Sequence, residues 1–390
     1  MRVSKSGNGN AVICPKSLPI LFLFVWFGLV SFPFVSFLGA AANLKTAVTS
    51  IRSQLGVAFL GLASVPVVVV FWILWIFTFT MTLSTDFMQS QTTTTTVTQS
   101  DGTTEEVEVY TGVYYLVVVT FLLSLFWSLQ VMTNIVQTTV AGSVGTWWFI
   151  PEEASGCCSP ALTSSFERSM TYSFGSICLG SLLVALVQTL KTIAEQTEQQ
   201  SRQNNDGGGA LLACLARCLL SCLEDLVEYF NKWAFVYVGL YGYSYVEAGK
   251  KVFDLFQNRG WTAIISDQLI GRVLGIMSLA IGIVTAVISA GIAAVFSSGE
   301  HDSVIASTVI LSMVVAWILG IILSSIIFGV VNGGVNTVIV LYAEAPNEFQ
   351  ETHPGLSREM NEAYYSAWPD IFSPGTGTTT VPLTTSAVVY

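Results

Sequence analysis

Charge is scarce in this sequence. Asp, Glu, Lys and Arg together make 10% of 390 residues, against roughly 25% in an ordinary soluble domain. A soluble chain of this length could not cover its surface with so few charges, which excludes the soluble classes. Histidine is scarcer still: His301 and His353 are the only two, both in polar segments. That excludes a buried histidine relay, and no HExxH occurs. The seven cysteines form no CxxC or Cys/His set, so no zinc site is indicated. There is no GxxxxGK[ST] loop for ATP and no GxSxG nucleophile. No N-x-[ST] acceptor marks an outer face. The net charge of −10 comes from acids in loops and tails, without basic patches, so no nucleic-acid partner is expected. Nothing here calls for an enzyme, a metal or a cofactor.

What the chain has in quantity is long apolar runs, several beyond the ~20 residues a bilayer-spanning helix needs. The expected fold is an all-α polytopic membrane bundle of about seven helices over 1–343. The spans fall near 18–42, 56–83, 112–140, 172–191, 232–249, 271–296 and 303–331. The first run follows Arg2, Lys5 and Lys16 as a secretory signal does, but its length favours a retained helix kinked at Pro33. Residues 84–110 hold five acids, no Lys or Arg and a Thr run, and read as a mobile low-complexity loop. Trp147 and Trp148 fit an interfacial anchor. A polar linker over 194–209 precedes a helix over 210–230. On it Cys214, Cys218 and Cys222 share one face, either packed or acylated at the membrane surface. The tail 344–390 is polar and reads as disordered and cytoplasmic.

Loop charge orients the bundle. Lys250, Lys251, Arg259 and Arg272 place the loop before the penultimate span in the cytoplasm, and the acidic 84–110 outside. Seven spans then put the basic N-terminus outside, against the positive-inside tendency. A helix missing upstream of Met1 would repair the parity.

The segment "NKWAFVYVGLYGYSYVEAGKK", 231–251, carries six aromatics. Trp233, Tyr237, Tyr241 and Tyr245 recur every four residues, which predicts one stripe along a single membrane helix. The stripe either packs in the bundle or lines a cavity. A cavity would give the hydroxyls partners and offer π-faces to a cation. A second face is set by Trp127, Gln130, Asn134 and Gln137, spaced three, four and three. Amides in a row are costly toward lipid, so this face is expected to turn inward.

"NKWAFVYVGLYGYSYVEAGKKVFDLF" resembles the signature region of the choline transporter-like family. "FWSLQVMTNIVQTTVAGSVGTWWF", 126–149, is similar to that family's helix with a W-x-x-E-x-x-x-N run. "GGVNTVIVLYAEAPNEFQETHPGLSREM" resembles its last helix and tail. The likeness covers about residues 40–365. It implies a transporter of choline or a related small organic cation, facilitative or ion-coupled, in the plasma membrane. The family usually has about ten spans with both termini in the cytoplasm, so the resemblance also implies absent N-terminal helices.

The sequence departs from the family at Gln130 and Asn336, where acids are typical, and at Leu341, where a Cys is. The lost acids leave a second reading open: a non-transporting membrane scaffold, or a shortened member completed by homo-oligomerisation. If the chain transports, the two faces are expected to meet at mid-membrane around the substrate. Trp127, Tyr237, Tyr241 and Tyr245 would supply rings, and Gln130, Asn134 and Gln137 amides.

Overall fold

The computed structural model describes residues 34–98, 104–204, 206–259, 262–297 and 302–367. Within them five helices are long and apolar enough to cross a membrane: 56–83, 112–149, 174–203, 269–296 and 306–344. They belong to α2 (Gly56–Leu83), α4 (Gly112–Phe149), α6 (Phe174–Gln203), α9 (Thr262–Phe296) and α10 (Asp302–Glu344). The outer faces of this bundle stay apolar, with Val67, Ile73, Val287 and Leu311 all exposed. Lipid requires that arrangement, because a helix satisfies its own backbone and hydrocarbon accepts the side chains. The expected first span, 18–42, lies mostly outside the described residues. Its end opens α1 (Phe34–Ser53), whose Asn43, Thr46 and Ser50 are buried, as is Gln54 just past its end. Gln54 Nε2 donates to the Ser143 carbonyl of α4 at 3.0 Å.

The region 84–110 is more ordered than its composition suggested. After a single turn, α3 (Asp86–Gln89), the Thr run forms β1 (Thr92–Thr98). It pairs antiparallel with β2 (Thr104–Tyr110) in the register Thr92↔Tyr110 to Thr98↔Thr104. Low complexity misled because the repeated residue is threonine, whose branched side chain favours a pleated strand over a random loop.

The expected linker 194–209 is helical as well. α6 runs to Gln203 and α7 (Gly207–Tyr241) begins four residues later, so the two form a tight antiparallel hairpin. Gln and Glu are good helix formers. Glu198 gathers Arg202 at 2.7 Å and Arg217 at 3.0 Å, and the Asp206 carboxylate caps α7 by accepting from Gly209 N at 3.1 Å. The cysteine face and the aromatic stripe as far as Tyr241 therefore lie on one continuous helix. Cys214 is buried there, while Cys218 and Cys222 are exposed.

The tail also corrects the expectation of disorder, at least to residue 367; residues 368–390 lie outside the described residues. α11 (Pro346–Thr352) and α12 (Pro354–Ala367) fold back onto the bundle. Phe349 stacks on Trp148 with ring centroids 3.9 Å apart. Trp148 Nε1 donates to the Ala345 carbonyl at 3.0 Å, and Asn43 Nδ2 donates to the Tyr364 hydroxyl at 2.9 Å. Trp147 and Trp148 are thus buried anchors for the tail, not headgroup anchors. Apolar residues spaced through a polar segment, Phe349, Met360 and Tyr364, supplied the burial.

His353 sits in this joint, its ring 4.0 Å from Trp147 and 5.3 Å from Phe349. Burial pushes its pKa below the ordinary 6.5. The unfolded chain then binds the proton more readily than the folded one. The stability His353 contributes is therefore present above pH 6.5 and lost as pH falls below it. Melting the protein between pH 7.5 and pH 5 should show a decline that the His353→Gln variant lacks. Equal slopes for the two proteins would refute this.

Candidate functional site

The α7 stripe ends sooner than its four-residue repeat suggested. At Gly242 the backbone turns left-handed, φ 70°, a conformation glycine adopts without steric cost. The chain restarts as α8 (Tyr245–Arg259), so 232–249 is not one helix. In a continuous helix Tyr245 would stand roughly 21 Å beyond Asn231. Instead its hydroxyl donates to Asn231 Oδ1, and its backbone N–H donates to Ser176 Oγ at 3.2 Å. Tyr245 packs between Phe230 and Phe235. Trp233 is fully buried against Phe256, edge to face at 4.8 Å.

Tyr237 and Tyr241 remain on α7 and gain Tyr243 from the break. Ring centroids lie 5.3 Å apart for 237–241, 6.4 Å for 237–243 and 5.7 Å for 241–243. The last residue of α10 supplies a carboxylate: the Tyr237 hydroxyl donates to Glu344 Oε2 at 3.0 Å, and Tyr241 lies near enough to feel the same charge. Lys251 Nζ of α8 sits 4.6 Å from the centroid of Tyr243. Sequence reasoning missed Glu344, Tyr243 and Lys251. The acid expected from the family resemblance was at 336, two turns earlier on the same helix, where Asn336 stands.

The α4 face divides. Asn134 is buried, and its Nδ2 donates to Ser181 Oγ of α6 at 2.8 Å. Next to it Asn231 of α7 donates from Nδ2 to the Gly180 carbonyl at 2.9 Å. Asn134, Ser181, Asn231 and the Tyr245 hydroxyl form a polar seam among α4, α6 and the α7–α8 break. Gln137 is half-buried. Gln130 lines a cavity of about 450 Å³ with Phe126, Leu129, Gln188, Lys191, Thr192, Glu195 and Glu224. Lys191 Nζ meets Glu224 Oε2 at 2.6 Å. Trp127 faces elsewhere. Its Nε1 donates to the Cys178 carbonyl at 3.0 Å, and its ring lines a nearly all-apolar groove with Phe71, Phe166 and Phe174.

Trp127 and Tyr241 therefore do not meet. Gly145 of α4 is the residue that abuts Leu240, 18 positions and so roughly 27 Å along the helix from Trp127. The expected single chamber resolves into a cavity at Gln130, an amide seam at Asn134, and a tyrosine–carboxylate cluster at Tyr237 and Tyr241.

Comparison with known proteins agrees with this architecture. A family described as plasma-membrane choline transporter matches residues 18–347. A protein PNS1 of Mycosarcoma maydis is 39% identical over 161 residues, 41% of this chain and 30% of that relative. A protein PNS1 of Cryptococcus neoformans is 31% identical over 274 residues, 68% of this chain and 47% of the relative. A CTL-like protein of Dictyostelium discoideum is 32% identical over 201 residues, 51% of this chain and 35% of the relative. The chain thus spans less than half the length of these curated relatives. With five apolar helices of spanning length and a family match over most of its residues, this multi-pass, transporter-like membrane protein belongs to the choline transporter-like family.

Proposed function

We propose that this protein moves choline or a related small organic cation across the plasma membrane, by facilitative or ion-coupled alternating access. The supporting observation is the cavity between α4, α6 and α7. Ionisable groups among membrane helices are costly and persist where they serve a path or a site. Here Glu195 and Glu224 face one Lys191, so the cavity carries a surplus of negative charge. The Lys191–Glu224 pair is neutral as a unit, and Glu195 is left to attract the cation. The Phe126 ring offers an apolar wall for N-methyl groups and a π-face for their charge. Gln130 bonds the solute hydroxyl. In this reading residues 84–110 lie outside and 250–259 in the cytoplasm.

Uptake of labelled choline by proteoliposomes tests the proposal. Wild type should show saturable uptake. Glu195→Gln should raise KM about tenfold, the scale of ~1.4 kcal/mol for the coulombic attraction of one carboxylate to a quaternary ammonium in a partly solvated cavity. Gln130→Glu should lower KM, because it adds a second uncompensated carboxylate. Uptake no greater than in protein-free vesicles, or a KM indifferent to both changes, rejects the proposal. A folded but inert protein would instead support a scaffold.

A further inference from the structure

We propose that Lys251 is a tethered occupant of a second cation site, the cluster of Tyr237, Tyr241, Tyr243 and Glu344, and that a free alkylammonium ion competes with it. The inference rests on the organic-cation reading for its biological use, but not for its geometry. Three rings have centroids within 6.4 Å of one another, and the Tyr237 hydroxyl among them donates to Glu344. Ring faces and a carboxylate are the groups that recognise an ammonium. The chain's own ammonium is already seated on one of those faces, 4.6 Å from the centroid of Tyr243.

The tether can release. Lys251 stands on α8, past the left-handed turn at Gly242, and its side chain is 43% exposed. Its other partner, Glu247, lies 3.9 Å away on the same helix, a spacing typical of a solvated pair of small value. Swinging out therefore exchanges the Tyr243 face for water and Glu247. An incoming alkylammonium ion fills the vacated face of Tyr243. Binding at this end of α7 is then weaker than the aromatic cluster alone allows, because each ion first displaces a lysine.

The test uses the full chain in lipid nanodiscs, with lysines reductively dimethylated using carbon-13 so that each keeps its charge and reports by NMR. The Lys251 resonance, assigned by its loss in Lys251→Arg, should be shifted upfield by the Tyr243 ring. Tetramethylammonium should return it to the solvent position. Tyr243→Leu should remove both effects, and Tyr243→Phe should keep them. In Lys251→Met, tetramethylammonium should bind about three- to fivefold more tightly, the scale of one exposed cation–π contact. A Lys251 resonance at the solvent position in wild type overturns the proposal, as does one unmoved by saturating tetramethylammonium. Choline flux is not part of this readout. Displacement without flux keeps the cation site and rejects the transport reading; flux without displacement does the reverse.

Discussion

Gly239→Val will separate α4 from α7 and unfold the protein at markedly lower temperature than wild type. A Cβ at position 239 would stand 2.5 Å from the Thr138 carbonyl oxygen and 2.8 Å from Ala141 Cβ. The first of these is backbone, held in the middle of a 38-residue helix, so no rotamer change relieves the clash. Overpacking costs ~1–3 kcal/mol where side chains can give way, and a rigid carbonyl puts this site at or beyond the upper end. Alanine is the sharper probe. Away from contacts, Gly→Ala in a helix stabilises by ~1 kcal/mol, so the sign of the change reports whether the clash wins. At Gly291 of α9 a Cβ would meet nothing within 4 Å. Thermal unfolding in nanodiscs should show Gly239→Ala destabilised and Gly291→Ala unchanged or stabilised. If both alanines stabilise equally, the close approach of α4 and α7 is wrong.

Trp148→Ala is expected to release the tail. The indole is fully buried, stacked on Phe349, and bonded through Nε1 to the Ala345 carbonyl. The Trp148 carbonyl in turn accepts from Thr352 Oγ1 at 2.9 Å. Truncating a buried tryptophan typically costs ~3–5 kcal/mol, and here the loss falls on the joint between α4 and α11. Amide hydrogen exchange over 346–367 should accelerate strongly, and a protease should cut there first. Trp148→Phe keeps the stack but leaves the Ala345 carbonyl without its donor, for a smaller cost of ~1–3 kcal/mol. Protection of 346–367 that survives Trp148→Ala would mean the tail is held by Asn43 and Tyr364 instead.

Both experiments concern contacts that no local pattern announces. The four-residue repeat of Trp233, Tyr237, Tyr241 and Tyr245 was legible, and it correctly marks one face of α7 as far as Tyr241. It also extends unbroken across Gly242, because a periodic pattern carries no information about φ. The amide face of α4 was legible in the same way. Spacing could say that Gln130 and Asn134 avoid lipid, but not that they serve different neighbours.

The sequence by itself determined the membrane class, the spanning helices around 56–83, 112–140 and 271–331, and the family. These follow from composition and from runs of residues, which act locally against lipid. Tertiary structure alone decided that Gly242 folds α8 back onto α7. It also decided that Trp148 seats the tail, and that Glu344 and Lys251 close on three tyrosines. The reason is physical. Insertion is set by summed transfer free energy along each segment. A site depends on which side chains from distant segments come within a few ångströms, and only helix packing fixes that.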